Sequence, residues 1–162
     1  MFPDSITQLA AAVLEECRSR DLHLSTAESC TGGLITGCLT GIAGSSDVVD
    51  RGFVTYTNNA KQEMIDVPAS LIERHGAVSE EVARAMAVGV LANSRSCLAV
   101  SVTGIAGPGG GSAEKPVGLV HIAAARRHQA RLHERHVFKG DREAVRLASV
   151  AAALNLLRGL YT

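Results

Sequence analysis

The chain has 162 residues, 46% of them hydrophobic but only 3% aromatic, with no Trp, and its 16 Lys and Arg balance 16 Asp and Glu. A chain of this length can bury a core without disulfide or metal support and reads as one domain, residues 1–162. The shortage of aromatic rings argues against RNA-binding sheets and single-strand grooves, which stack bases on such rings, and the charge balance gives no bulk pull toward nucleic acid or an acidic membrane.

Ile6, Leu9, Ala10, Val13, Leu14 and Cys17 recur at helical spacing and predict an amphipathic first helix. This N-terminal stretch carries Asp4, Glu15, Glu16, Arg18 and Arg20, so it lacks the basic start and continuous apolar run of a signal peptide. Leu22–Thr26 reads as a short strand leading into Thr26-Ala27-Glu28-Ser29-Cys30-Thr31-Gly32-Gly33, and Leu34–Ile42 as a small apolar helix closed by Gly44. Gly52–Thr57 is strand-like and ends at Asn58-Asn59; Ala60–Ile65 and the segment from Pro68 to about His75 read as short helices. Ser79 caps a longer helix with Val82, Met86 and Val90 facing inward and Glu80 and Glu81 in its first turn. Cys97–Val102 is a continuous apolar strand of the doubly buried kind. A glycine-rich loop from Gly104 to Gly111 follows, then a strand over Val117–Ala124, a turn at Arg126–Gln129, a partner strand over 130–138, and a final helix capped by Asp141. That helix runs to about Leu160 with Val145, Ala148, Ala151 and Leu154 as its inner face.

This order predicts an α/β protein, a three-layer α/β/α sandwich around a mixed, mostly parallel five-stranded sheet. Helical crossovers make the first three strands parallel, and the loop before the fourth returns it antiparallel. Ligands gather at the carboxyl ends of parallel strands, where Ser29, Tyr56 and Thr103 fall.

Ser29 at a strand-to-helix turn has two readings. It is a helix N-cap, or it is a nucleophile whose neighbouring helix-start N–H groups hold an oxyanion. Lys61, one helical turn beyond a second strand end, is either a solvated surface residue or the base of a Ser–Lys dyad, which needs a pKa depressed from its usual ~10.4. Tyr56 is a packing residue or an assistant at the reacting centre, and Thr103 a hydrogen-bond donor at the third strand's end. The loop carrying Gly104 and Gly107 is a plain connection or a backbone cradle for phosphate or sugar oxygens. It is neither a dinucleotide fingerprint nor a P-loop, because no helix follows and Gly-Lys-Ser/Thr is missing. Arg142, at the start of the last helix, is a surface residue or the cation for a phosphate, beside free helix-start N–H groups.

The four cysteines, Cys17, Cys30, Cys38 and Cys97, contain no Cys-x-x-Cys pair and read as reduced thiols of a cytoplasmic protein. Cys30 beside Ser29 reads as a buried, inert thiol. The histidines form no metal signature: His133 and His136 in a strand point to opposite faces. No metal and no cofactor is expected.

Together these segments resemble the CinA C-terminal domain family of nicotinamide-nucleotide amidases. The matching stretches are Ala27–Gly33, Ala43–Ser46, Arg51–Tyr56, Asn58-x-x-Lys61, His75–Ser79, Thr103–Pro108, Glu114–Gly118 and Phe138-x-Gly140-Asp141-Arg142, in the family's order over nearly the whole chain. The family also occurs fused behind a larger N-terminal domain, and this chain looks like the stand-alone form. The resemblance implies hydrolysis of the carboxamide of nicotinamide mononucleotide to nicotinate mononucleotide and ammonia. It implies Ser29 as nucleophile and Lys61 as its base, with Tyr56 and Thr103 assisting. Substrate would be held by Thr31, Gly32, Gly33, Gly104, Gly107 and Arg142. The partners expected are a small-molecule nucleotide and further copies of the chain, as a homodimer or higher homo-oligomer, with no nucleic acid and no membrane. Gly109-Gly110-Gly111 is richer in glycine than the family pattern. A non-catalytic nucleotide-binding or competence-linked interaction module is the second reading, and it has no need of both Ser29 and Lys61.

Overall fold

A computed structural model describes residues 1–129 and 131–161. Its elements, in chain order, are α1 (Asp4–Ser19), β1 (Leu24–Glu28), α2 (Leu34–Thr40), β2 (Val49–Val54), α3 (Asn58–Ile65), α4 (Ala69–His75), α5 (Glu80–Ala92), β3 (Leu98–Gly104), β4 (Leu119–Arg126), β5 (Arg131–Val137) and α6 (Arg142–Arg158), with one 3-10 turn at Ser45–Asp47. The strands form one sheet in the order β2-β1-β3-β4-β5. β1 pairs parallel with β2 and β3, and β4 pairs antiparallel with β3 and β5, so β4 alone runs against the other four.

Strand alternation builds the two faces. Leu24, Leu98, Val100, Val102, Val120, Ile122 and Ala124 pack under α1, α2 and α6. Ala27, Ala99, Ala123 and Ala125 pack under α5 and the residues that follow α3, with Ile65, Val82, Met86 and Val90 above them. The second face is lined by small side chains, so α5 lies close to the sheet and Ser101 Oγ donates to Ala83 O at 2.6 Å. The two outer strands are mostly polar and exposed, which suits unpaired edges.

The expected architecture is the observed one, with local shifts. β2 lies three residues earlier than Gly52–Thr57, because its pairing with β1 begins at Leu24↔Val49 and ends at Glu28↔Val54. Thr57, read as strand, instead caps α3 by accepting from Ala60 N. Ser79 and Asp141 cap α5 and α6 as expected, accepting from Val82 N and Ala144 N. Along α6 the buried stripe is Val145, Ser149, Val150, Ala153, Leu154, Leu156 and Leu157; Ala148 and Ala151 are only half-buried. The helix packs against both α1 and the sheet, so its inner face is wider and rotated from a simple three-residue spacing. The start of the strand expected over 130–138 and the last residue of the chain, Ala130 and Thr162, lie outside the described residues.

Candidate active site

The alternation that buries Leu24 beneath α1 and α6 turns Glu28 toward α2, and Ala27 toward α5. Ser29, one residue beyond β1, therefore falls on the α3–α5 side. Its N–H continues the sheet by donating to Val102 O at 3.0 Å. Its hydroxyl does not cap α2; it lies 3.4 Å from Tyr56 O. α2 has Gly33 at its N-cap position and no side-chain cap from that residue.

Thr57's cap starts α3 immediately after the β2 end, and Lys61 then points back into the sheet edge. Lys61 is 1% exposed. Its Nζ sits 3.1 Å from Ser29 Oγ, 2.9 Å from Thr55 O and 3.4 Å from Tyr56 O. Among the described residues no carboxylate pairs with it, and burial pulls its pKa from 10.5 down to about 8. Neutral, its two N–H groups match the two carbonyls and its lone pair faces the serine hydroxyl. That arrangement can take a proton from Ser29 near neutral pH.

A cavity of about 300 Å³ opens above the pair, lined among others by Ser29, Lys61, Tyr56, Asn58, Thr103 and Arg142, with Gly104 and Gly107 of the glycine loop. Lys61 and Arg142 are the basic side chains among its lining residues, and no acidic side chain of the described residues lines it. Thr103 is fully buried and donates to Ala77 O at 2.9 Å, so it ties the third strand end to the loop before α5. Arg142, on the exposed rim, donates to Gly107 O at 2.7 Å and to Tyr56 Oη at 3.2 Å. It thus bridges the glycine loop and the tyrosine across the mouth. Cys30 also borders the cavity, and burial pushes its thiol up to about 11, so it is protonated and a poor nucleophile at neutral pH.

Two expectations change. The helix-start N–H groups after Ser29 are engaged: Gly32 N donates to Ser29 O, Leu34 N to Thr31 O, and Gly33, Ile35 and Thr36 N to the Glu28 carboxylate. They cannot hold an oxyanion. Thr31, Gly32 and Gly33 lie outside the cavity lining; the glycines take left-handed φ of 58° and 99° that shape the turn, and Thr31 is fully buried. At the start of α6, Asp141 accepts from Ala144 N through Oδ1 and from Val145 N through its carbonyl oxygen, and the Arg142 side chain extends beside that helix start. Two residues at the turn were not picked out by the sequence, Glu28 and Arg146. Arg146 donates from α6 to Cys30 O at 3.1 Å and Thr31 O at 3.0 Å, one helical turn from Arg142. An i, i+4 arginine pair on α6 is the signal that marks it.

The family model for the CinA C-terminal domain matches residues 6–161. The chain is 47% identical over 157 residues to the nicotinamide-nucleotide amidohydrolase PncC of Escherichia coli K12, covering 97% of this chain and 95% of that one. It is 49% identical over 150 residues to a putative competence-damage inducible protein of Caldicellulosiruptor bescii, of which it covers 36%. The chain spans about a third of the length of the first curated relatives it matches, at 36%, 36% and 34% of their lengths. Among solved structures, the competence/damage inducible protein CihA from Agrobacterium tumefaciens superposes with a TM-score of 0.98 at 53% identity, covering 100% of this chain and 99% of that one. The CinA superfamily protein ECK1530/EC0983 from Escherichia coli gives 0.92 at 34% identity, covering 99% of this chain and 94% of that one.

Proposed function

Because the chain belongs to the CinA C-terminal domain family, we propose that it hydrolyses the carboxamide of nicotinamide mononucleotide, giving nicotinate mononucleotide and ammonia. The observation that carries the reading is the buried Lys61 amine 3.1 Å from Ser29 Oγ, at the floor of a cavity lined also by the Arg142 guanidinium. A binding module gains nothing from burying a lysine against a serine. The likeness to PncC supports the substrate, and the Ser29–Lys61 pair supports the chemistry.

In the proposed reaction Ser29 Oγ attacks the carboxamide carbon while its proton passes to Lys61 Nζ. The tetrahedral intermediate places its negative oxygen against backbone N–H groups bordering the cavity, with that of Cys30 next to the nucleophile. Collapse breaks the C–N bond, and the Lys61 ammonium returns the proton to the leaving nitrogen, releasing ammonia. Water then attacks the Ser29 ester as Lys61 takes its proton, and Lys61 passes that proton to Ser29 Oγ as the C–Oγ bond breaks, releasing the acid and restoring both residues. Thr103 fixes the wall of the cavity through Ala77, and Tyr56 is held at its mouth by Arg142. Arg142 exchanges its contacts with Gly107 O and Tyr56 Oη for the substrate phosphate, two of whose oxygens its planar guanidinium fork can hold at once.

Incubating the protein with nicotinamide mononucleotide and following ammonia and nicotinate mononucleotide tests the reading. Stoichiometric appearance of both supports it. Nucleotide binding without either product identifies the chain as the non-catalytic module instead.

A further inference from the structure

Glu28 immediately precedes Ser29, and no step of the proposed hydrolysis uses it. Its side chain is wholly buried. A buried carboxylate is costly unless hydrogen bonds replace its hydration. Here Oε2 accepts from Gly33 N at 3.1 Å and Ile35 N at 3.0 Å, and Oε1 accepts from Thr36 N at 2.9 Å, Thr36 Oγ1 at 3.0 Å and Thr26 Oγ1 at 3.3 Å. The three N–H groups are among those an α-helix leaves unpaired at its start, and they carry the positive end of its dipole. An ordinary cap is the residue just before the helix. This one reaches back from the strand on the other side of the turn, so the strand end and the helix start are tied through one carboxylate.

We propose that Glu28 is the positioning residue of the nucleophile: an internal anion that locks the turn of residues 29–33 and holds Ser29 Oγ in register with Lys61 Nζ. The proposal rests on Ser29 being the nucleophile. The turn is clamped from three directions. Glu28 holds its α2 end, Ser29 N→Val102 O holds its sheet end, and Arg146 grips Cys30 O and Thr31 O from α6. Only the Glu28 clamp spans the turn from its first residue to its last. The same network reaches β2. Thr36 Oγ1 lies 2.6 Å from Thr26 Oγ1, and a Cβ on Gly52 would overlap Thr36 Oγ1. Gly52, on the exposed edge strand and outside the cavity lining, is therefore the space into which the carboxylate's partner fits.

Glu28→Gln keeps the shape but not the acceptors. Its oxygen can serve one set of donors, and its NH₂ then faces the N–H groups of the other. Glu28→Ala removes the clamp altogether, and Gly52→Ala disturbs it from outside by displacing Thr36. Three readouts are needed: kcat and KM with nicotinamide mononucleotide, the rate at which a fluorophosphonate modifies Ser29 (with Ser29→Ala as blank), and the thermal midpoint. Glu28→Gln is expected to lower kcat and the labelling rate together, by about ten- to a hundredfold, with KM within about threefold of wild type. Gly52→Ala should show the same coupled loss in smaller measure, and the pH at which activity rises should not move, since Lys61 stays as buried as before. A folded Glu28→Gln that labels and turns over at the wild-type rate overturns the proposal, as does a loss confined to KM. If Glu28→Ala fails to fold, Glu28→Gln and Gly52→Ala carry the test. If the wild type labels at Ser29 but releases no ammonia, the substrate reading fails, and the labelling rates alone still judge Glu28.

Discussion

Lys61 Nζ lies 3.1 Å from Ser29 Oγ across 32 positions of sequence, and the amine also donates to the backbone carbonyls of Thr55 and Tyr56. A lysine held this way, with its pKa near 8, is partly neutral in the pH range where most enzymes work.

Activity should therefore rise with pH and level off above about 8, as Lys61 loses its proton. Lys61→Met removes the base while keeping most of the stem, and turnover should fall by about a thousandfold or more with nucleotide still bound. Lys61→Arg should fare no better, because guanidinium keeps its proton throughout this range. A pH–rate profile for the wild type and single-turnover rates for both variants check this. Substantial activity in Lys61→Arg makes Lys61 an electrostatic anchor and places the base elsewhere.

The same depressed pKa has a consequence for stability. Lys61 binds its proton less tightly folded than unfolded, so between about pH 8 and 10.5 the unfolded chain holds more protons than the native one. By linkage, the contribution of Lys61 to stability rises with pH across that window, by up to a few kcal/mol, and is flat below it. Denaturant melts of wild type and Lys61→Met at pH 7, 9 and 10.5 isolate it as a difference. The wild type should gain on the variant as pH rises; a constant difference contradicts the burial argument.

Much of the frame was legible because it rests on local rules. Ser79 and Asp141 cap helices where their types and spacing say they should, and Cys97–Val102 reads as doubly buried because no polar side chain but Ser101 interrupts it. The juxtaposition of Ser29, Tyr56, Lys61, Thr103 and Arg142 was legible in part, since crossovers bring parallel strand ends to one edge. What escaped is contact between non-neighbouring backbone and side chains. Cap rules look one residue upstream of a helix, so they miss Glu28 reaching over the turn to Gly33, Ile35 and Thr36. They also suggested free N–H groups where the carboxylate had taken them. The boundary of β2 was misplaced because Thr55–Thr57 is extended and β-rich in composition, while its pairing with β1 had already ended at Val54.

Arg142→Ala should weaken capture of the nucleotide more than the chemistry. With its contacts to Gly107 O and Tyr56 Oη lost as well, KM for nicotinamide mononucleotide should rise by about ten- to a hundredfold and kcat by comparison should change little. Plain nicotinamide, if turned over, should be nearly indifferent to the change. Steady-state kinetics on both amides check it, and equal losses on the two contradict a phosphate role.

Cys30 borders the cavity but its thiol is held protonated by burial. Cys30→Ala should leave turnover within about tenfold of wild type, the residual loss reflecting a small packing defect beside Ser29. Iodoacetamide at pH 7.5 should abolish turnover only slowly. Rapid inactivation with labelling at Cys30, or collapse of activity in the alanine variant, would move the nucleophile one residue along the turn.

In the proposed reaction Ser29 Oγ is the atom that attacks the amide, and ammonia release from nicotinamide mononucleotide by wild type and Ser29→Ala side by side measures its part. The alanine variant should keep its fold and its nucleotide affinity and lose at least about a thousandfold in turnover, the scale expected when a covalent nucleophile is removed. Turnover within tenfold of wild type would contradict the account and leave water as the attacking group.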